Sequence, residues 1–420
     1  MNNIVGELSP ASRAVLGVLA VVLFFNIAFF SAGWVGTIKY TKAFVFFDQH
    51  DDSWDPMDRA LKYLMSGDSR ERFVYQHIFF DQGTRFQYPL TSLLLPYALL
   101  KTTNTYIPIL MDITWAMLVL NIFFVVLIFR HVNPPMNRLD AFVGSGAIVL
   151  LSFLFYPLVK AYNLGQIQVW SNALFAGLFY CWMRGWQAPS GVLLALICLI
   201  KPQFVLVALW AVVRRRWRFV IFFAGVVLIG VMLSIASFGL DNNVNYLSVL
   251  KYISQHGETF YPNQSMMGLL NRWFLNGNIL EFYGSLPAFH PVVYYGSFIF
   301  AAVWTLTAIV LPKMIHREGG ILDLSVIAVT ATMISPIAWE HHYGILLPIY
   351  VFLFVYLMRA GKPFYWWILG ISYFLASNYI TLTKKFALVP GWNIVLSYLF
   401  WGALMLLVLL FCLLFERNKI

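Results

Sequence analysis

The stretch SPIAWEHHYGILLPIY, residues 335–350, places one glutamate and two histidines side by side between two strongly apolar runs. Titratable side chains are costly inside a bilayer, so they are expected at the surface where two spans meet. A span needs about 20 mostly apolar residues, and many segments of the chain approach that length. The stretch therefore predicts a helical membrane protein with Glu340, His341 and His342 at one membrane surface.

The composition of the whole chain agrees with that prediction. Of the 420 residues, 60% are hydrophobic and 11% are charged, which excludes an ordinary soluble domain. The first apolar run, 14–30, lacks a small-residue cleavage site and is predicted to be a span rather than a signal peptide. We expect an all-α polytopic protein forming a single integral membrane domain, 1–420. About twelve transmembrane helices are predicted, at 13–33, 106–130, 139–160, 167–183, 188–200, 203–214, 219–238, 291–312, 320–337, 342–358, 364–382 and 393–415.

The net charge of +10 follows the predicted spans, so we expect no nucleic-acid partner. Basic residues fall in short gaps between spans, as in 214–218, and short basic loops face the cytoplasm. The predicted protein lies in the inner cell membrane with both termini in the cytoplasm. Two long segments, 34–104 and 239–290, are then outer loops. Helices predicted in the first, at Trp54–Ser66 and 88–100, are expected to lie at the outer interface.

The unusual polar clusters all map to this outer side. The segment 48–58 contains five aspartates, and crowded carboxylates raise at least one pKa, as a general base requires. Asp51, Asp52 and Asp55 are the candidates. The alternative is a solvated loop with capping aspartates, because Asp55 before Pro56 also fits a helix start.

A lysine lies between two short apolar runs. Lys201-Pro202-Gln203 joins 188–200 to 203–214, and both runs are too short for full spans. We expect this tip to be sunk in the outer leaflet, where a lysine is costly unless an anion lies near it. Lys201 would then serve as a point charge for a phosphate, with Gln203 beside it. The alternative is a lysine that snorkels at a helix end.

The remaining candidates are histidines and amides. Adjacent residues on a helix point about 100° apart, so one of His341 and His342 is expected to face the site while the other packs. With Glu340 they lack the spacing of a zinc motif, and the three cysteines show no paired spacing, so no metal is predicted. Polar groups suited to sugar hydroxyls or phosphate oxygens, or alternatively to loop and helix caps, are Gln166, Asn263, Gln264 and Arg272.

The order of these motifs resembles the GT-C fold glycosyltransferases, and within them the DUF2029 family (glycosyltransferase family 87). The resemblance covers about residues 50 to 345. The motifs that follow the acidic first outer loop are Phe86-Gln87-Tyr88-Pro89, Gly165-Gln166, Lys201-Pro202, Asn263-Gln264-Ser265 with Arg272, and Ser335-Pro336 ahead of Trp339-Glu340-His341-His342.

The resemblance implies an inverting sugar transfer at the extracytoplasmic face, without a cofactor. The donor would be a polyprenyl-phosphate sugar, with mannose favoured, and the acceptor a glycolipid or polysaccharide at the membrane lipids. The family's catalytic aspartate lies in the first outer loop, where Asp52 or Asp51 matches it. Tyr88 begins the helix where the family often has Tyr-Pro-Pro. Lys201 and a histidine would hold the leaving phosphate.

Two alternatives come from other classes of protein. A transporter or flippase for a lipid-linked sugar tends to carry ionisable groups near the bilayer midplane and to show repeated halves, and neither is evident. An O-antigen ligase or polymerase would rely on basic residues in its long outer loop. The predicted outer segment 239–290 contains only two lysine or arginine residues, Lys251 and Arg272.

Overall fold

The computed structural model describes residues 8–67, 71–103, 105–133, 137–282, 285–315 and 319–416. Within these ranges the chain forms helices joined by turns. Extended backbone pairs only at two isolated bridges in this part of the chain, Val35 with Ile380 and Asn263 with Trp339. The predicted all-α class is therefore confirmed for the described residues.

Six helices are long and apolar enough to cross a membrane, as judged from the described residues by length and composition. A seventh span results if one bent helix pair is counted as a single crossing. The predicted count of about twelve is not confirmed. The six helices are Pro10–Ser31, Tyr106–Val132, Trp217–Phe238, Pro291–Ile315, Glu340–Ala360 and Asn393–Glu416.

Most of the other predicted spans coincide with helices that are too short to qualify. Because a helix rises about 1.5 Å per residue, a helix of 9 to 16 residues covers only part of a hydrocarbon core of about 30 Å. These shorter helices are Gln168–Met183, Gln187–Cys198, Val205–Val213, Ile321–Met333 and Pro363–Ser377.

The span predicted at 139–160 is broken. It forms two helices, Arg138–Phe153 and Tyr156–Asn163, which meet at 59°. Phe155 between them is extended, and Pro157 lies in the first turn of the second helix. Proline cannot donate a backbone hydrogen bond and disfavours a helical residue before it. The break directs the second helix toward the turn 163–166.

The first outer segment holds several short helices. The predicted helix Trp54–Ser66 is found with the same bounds, and Gly67 in the left-handed conformation ends it. The predicted helix at 88–100 starts later. Its first turn is the 3-10 helix Leu90–Leu93, followed by the α-helix Leu94–Leu100. Elements that the sequence did not predict there are Thr37–Val45 and the π-helix Gln76–Asp81.

The second outer segment, 239–290, is also largely helical in its described part. Leu240–His256 and Met266–Trp273 are α-helices. Between them, residues 258–265 pair with 335–340 at the Asn263–Trp339 bridge. This pairing brings the stretch 335–350 against the second outer segment.

Helices pack tightly where the sequence provides small residues. A Cβ on Gly191 would lie 2.3 Å from the carbonyl oxygen of Phe219, so this glycine allows Gln187–Cys198 to contact Trp217–Phe238. The outer faces of Trp217–Phe238 and Pro291–Ile315 instead expose large apolar side chains, among them Ile229. Such faces are typical of helices that contact lipid.

Candidate active site

One cavity of about 1110 Å³ collects most of the polar side chains selected from the sequence. Its walls come from the acidic loop (residues 48–53), the turn 163–166, the tip 201–203 and the segments 258–265 and 335–345. The candidate residues that line it are Asp51, Asp52, Asp55, Tyr88, Gln166, Lys201, Gln203, Glu340, His341 and His342.

Backbone hydrogen bonds hold the acidic loop against the turn 163–166. The N–H of His50 donates to the carbonyl of Asn163 (2.8 Å), and the N–H of Asp52 donates to that of Leu164 (3.0 Å). Gly165 has a φ of +62°, and a Cβ there would lie 1.7 Å from the carbonyl oxygen of His50. Only glycine permits this contact. The main role of the NLGQ motif, residues 163–166, is therefore to position the acidic loop.

Ser53 joins the acidic loop to two of the predicted site residues. Its hydroxyl donates to Oε1 of Gln166 (2.8 Å), lies 2.9 Å from the hydroxyl of Tyr88 and accepts from the N–H of Ile167 (3.0 Å). Tyr88 also lies 3.2 Å from Oε1 of Gln166 and can donate to it. Burial raises the pKa of Tyr88 to about 12, so its phenol stays protonated and remains a donor.

The carboxylate of Asp52 faces the cavity and accepts a hydrogen bond from Gln166. Burial raises the pKa of Asp52 above its ordinary value, while the Gln166 bond and the positive charge of Lys160 act in the opposite direction. A raised pKa suits a group that must accept a proton during the reaction.

The neighbouring aspartates are engaged differently. The carbonyl of Asp51 accepts from the N–H groups of Trp54 (2.8 Å) and Asp55 (2.9 Å), which begins the following helix. The Asp55 side chain pairs with Arg59 at 3.0 Å on an exposed surface, and Asp55 lies in the first turn rather than at the cap. The backbone of Asp51 thus begins the helix, while Asp51 and Asp52 both line the cavity.

A lysine and a histidine form a separate part of the cavity wall, which we call the cationic flank (Lys201 and His342). Nζ of Lys201 lies 2.5 Å from Nε2 of His342, and both side chains are buried. Among the described residues Lys201 forms no ion pair with a carboxylate, and Nδ1 of His342 has no hydrogen-bond partner. Burial lowers the pKa of Lys201 to about 7, and an anion bound beside it would favour the protonated form.

The second histidine and the glutamine of the tip also reach the cavity. His341 and Gln203 both line it, so the expectation that one histidine would pack away from the site is wrong. The cause is local. Residues 340–345 form a 3-10 helix at the bend before Leu346–Ala360, and this bend presents both rings to the cavity.

Glu340 is a buried acid on the cavity wall. Its Oε2 accepts from the hydroxyl of Tyr156 (2.6 Å) and its Oε1 from that of Tyr398 (3.0 Å). The positive charges of Lys160 and Lys384 act on it. We refer to Asp51, Asp52, Glu340 and Lys160 as the acidic flank of the cavity.

Three predicted donor-binding residues do not line the cavity. Asn263 donates to the carbonyl of Pro336 (3.1 Å) and accepts from the N–H of Ala338 (2.9 Å). Gln264 and Arg272 are fully buried and also donate to backbone carbonyls. Asn263 thus joins the segments 258–265 and 335–340, whereas Gln264 and Arg272 connect 258–265 with the chain at 396–400. Their contact with the donor stays a prediction.

A sequence model of glycosyltransferase family 87 matches residues 86–336, which is more than half of the chain. The chain belongs to glycosyltransferase family 87. The resemblance inferred from the order of the motifs is thereby confirmed, and the protein is a membrane glycosyltransferase. The comparison with curated proteins gives no match.

The family 87 match includes some site residues and omits others. Tyr88, Gln166 and Lys201 lie inside the matched range, whereas Asp52 and His342 lie outside it. The cavity nevertheless joins both groups. Among the described residues of this glycosyltransferase, no group of three or more His, Cys, Asp or Glu side chains is arranged to hold a metal ion.

Sequence reasoning missed Lys160 and Ser53. Lys160 is the last residue of the predicted span 139–160, so the sequence pattern indicates only a lysine at the end of a span. The signal that could have found it is the Tyr156-Pro157 pair, which indicates a helix break just before Lys160 and therefore a polar environment. Ser53 carried no such signal, because its role depends on contacts with Tyr88 and Gln166.

Proposed function

We propose that this glycosyltransferase transfers a sugar, with mannose favoured by the family resemblance, from a polyprenyl-phosphate donor to an acceptor hydroxyl at the extracytoplasmic face. The observation that carries the proposal is the division of one cavity into two parts. The cationic flank holds a buried lysine without a carboxylate counter-ion, which a bound phosphate would keep protonated, and the acidic flank holds a carboxylate with a raised pKa.

The cationic flank suits the phosphate of such a donor. A polyprenyl phosphate sugar has its chain in lipid, its phosphate near the headgroups and its sugar outside them. Lys201 sits at the tip between two short apolar helices, with His342 beside it. Negative charge grows on the phosphate as the glycosidic bond breaks, and a fixed ammonium in a buried site stabilises that charge strongly.

The acidic flank suits the acceptor hydroxyl. We propose that the acceptor oxygen attacks the anomeric carbon from the side opposite the phosphate, while its proton passes to the carboxylate of Asp52. The bond between the anomeric carbon and the phosphate oxygen breaks with its electron pair moving to the phosphate. One displacement of this kind inverts the configuration at the anomeric carbon. Gln166, which lowers the pKa of Asp52 as a hydrogen-bond donor, would orient the carboxylate.

The test is transfer of labelled sugar by the purified protein in lipid. Polyprenyl-phosphate-mannose, polyprenyl-phosphate-glucose and the nucleotide sugars are offered in parallel, with an extract of the native membrane as the acceptor source. We expect turnover from one lipid donor. Asp52→Asn should lower the rate by about 10²- to 10⁴-fold, since general acid–base catalysis is worth that much, and Asp51→Asn should lower it far less.

Folding of each variant is checked by its thermal unfolding profile. If the wild-type protein consumes no lipid donor but moves a lipid-linked sugar across the bilayer of vesicles, the protein is a flippase and the transferase proposal is wrong. A larger loss of transfer rate in Asp51→Asn than in Asp52→Asn would leave the proposed reaction unchanged but identify Asp51 as the general base.

A further inference from the structure

A second cavity, of about 390 Å³, lies beyond the far end of the short helix Pro202–Val213. Lys201 of the candidate active site precedes this helix, whereas Arg216 of the second cavity follows it. The two cavities share no lining residue. The proposed sugar transfer therefore leaves the second cavity without a role.

Hydrogen-bond donors and apolar side chains together line the second cavity. Phe352 is buried and lies midway along Leu346–Ala360, so the cavity extends inward from the helix ends. None of the described lining residues is a carboxylate, so the lining would not balance the charge of a bound cation. The donors are the side chains of His131, Gln187 and Arg216, and the apolar lining includes Trp182, Ile321 and Phe352.

Arg216 brings a permanent positive charge to this cavity. Its guanidinium carbon lies 5.8 Å from the ring centre of Trp182, and one of its NH₂ groups donates to the carbonyl of Gly319 (3.3 Å). Its Nε is buried and has no hydrogen-bond partner, and no carboxylate pairs with Arg216 within the part of the chain that the structure describes. A buried donor of a charged group is costly to leave unpaired, so an anion that accepts from Arg216 would be stabilised.

The neighbouring Arg214 is used differently. It is buried and forms an ion pair with Asp323, which lies on the helix Ile321–Met333. This pair connects two helices and engages Asp323. Arg216, two residues further on, faces the cavity instead.

Two exposed tryptophans indicate the depth of the second cavity in the membrane. Trp186 directly precedes Gln187 and is 47% exposed, and Trp217 directly follows Arg216 and is 55% exposed. The guanidinium of Arg184 lies 5.4 Å from the ring centre of Trp186. Exposed tryptophans beside basic residues are typical of the depth of the lipid headgroups. The cavity therefore opens where phospholipid phosphates lie.

We propose that the second cavity binds the phosphate of an anionic phospholipid, with Arg216, Gln187 and His131 as its hydrogen-bond donors. A guanidinium matches the oxygens of a phosphate with two parallel hydrogen bonds, and basic pockets between membrane helices suit lipid headgroups. The apolar rings of Trp182 and Phe352 would contact the apolar part of the lipid. A free phosphate has the same oxygens but would leave these rings uncovered. The proposal is independent of the proposed function.

The experiment counts ligands on the purified protein by native mass spectrometry. The full chain in a neutral detergent is titrated separately with phosphatidylglycerol, phosphatidylcholine, glycerol 3-phosphate and inorganic phosphate. We expect one phosphatidylglycerol to bind more tightly than phosphatidylcholine or either soluble phosphate. Arg216→Met keeps an apolar stem beside Trp182 and should weaken the binding of phosphatidylglycerol at least about tenfold, because a hydrogen-bonded charge is lost.

Two variants control for other effects of charge. Arg218→Met removes the same charge from an exposed side chain outside the lining, so phosphatidylglycerol should bind as tightly as to wild type. Lys201→Met removes the lysine of the candidate active site, and unchanged binding in this variant would place the lipid outside that cavity. Gln187→Glu adds a carboxylate to the lining and repeats the test if Arg216→Met does not fold.

Unchanged affinity for phosphatidylglycerol in the folded lining variants would overturn the proposal. A loss in Arg218→Met as large as that in Arg216→Met would also overturn it, because the charge would then act without the cavity. Binding of glycerol 3-phosphate or inorganic phosphate, without binding of phosphatidylglycerol, would show that the ligand is a soluble phosphate and not a lipid. The sugar-transfer proposal stands or falls separately, because these measurements do not involve a sugar donor.

Discussion

The pKa of Asp52 is set by several effects of opposite sign. Burial favours the protonated form of its carboxylate, whereas the hydrogen bond from Gln166 and the charge of Lys160 favour the ionised form. The balance raises its pKa. His50 and Asp51 also act on it, with opposite signs. Its raised pKa makes the ionised carboxylate of Asp52 a stronger base than an aspartate with the ordinary pKa.

Activity should therefore fall on the acid side at a higher pH than an ordinary aspartate would give. The base must be ionised, so the rate is lost as the pH falls through the raised pKa of Asp52. Lys160→Met removes a charge that lowers this pKa and should move the acid limb of the kcat/KM profile further toward high pH. Lys160→Arg keeps the charge and should restore the wild-type limb. An acid limb that does not move in Lys160→Met would show that Lys160 does not act on the base.

Lys201 should affect the donor rather than the acceptor. Lys201→Met removes the buried ammonium of the cationic flank, and we expect kcat/KM for the lipid donor to fall about 10²- to 10³-fold, as for loss of one transition-state donor. The control is Lys385→Met, because Lys385 is an exposed lysine outside the cavity lining. Equal losses in the two variants, measured by initial rates in matched lipid, would argue against a phosphate site at Lys201.

At the scale of elements, the turn 163–166 decides where the acidic loop lies. The helix Tyr156–Asn163 enters this turn after the break at Pro157, and its backbone carbonyls accept from the N–H groups of the loop. The same helix carries Lys160 toward the cavity. A short rigid helix thus positions both the general base and the charge that acts on it.

Gly165→Ala should separate activity from stability. The added Cβ would overlap the carbonyl of His50, 1.7 Å away, at a φ of +62°, so the acidic loop must move. We expect transfer to fall at least about 10²-fold, because misplacing a catalytic group by about 1 Å costs that much. The helices should remain folded by circular dichroism.

Gly146→Ala provides the control for this change. Gly146 lies within Arg138–Phe153 and has nothing within 4 Å of an added Cβ, so activity should persist and stability should rise slightly. A fully active Gly165→Ala variant would mean that the acidic loop is not held by this turn.

At the scale of the whole molecule, the two ends of the helices have different chemistry. Lys201 and the cavity lie at one end of the short helix Pro202–Val213, which is about 18 Å long. At the other end, Arg214 forms a buried ion pair with Asp323, and Arg218 is exposed nearby. Short basic segments of this kind face the cytoplasm, which supports the proposed location of the cavity on the outer side.

Thiol labelling tests this orientation. Arg59→Cys lies beside the cavity and Arg218→Cys at the far end, each in a background in which the three native cysteines are replaced by alanine. A membrane-impermeant maleimide added to intact spheroplasts should label the thiol introduced at 59 and should reach the one at 218 only after lysis. The reverse pattern would place the cavity in the cytoplasm.

The sequence by itself determined the class of molecule, the family and ten of the polar residues that line the cavity. Apolar run lengths predict helices, and polar residues between them are few enough to stand out, so Asp52, Lys201 and His342 were identifiable. The tertiary structure alone decided the use of each polar atom. Hydrogen bonds to backbone carbonyls engage the side chains of Asn263, Gln264 and Arg272. Lys160, in contrast, lines the cavity. The sequence pattern cannot distinguish a polar side chain that bonds to backbone from one that lines the cavity, because the partners of a buried polar group come from distant parts of the chain.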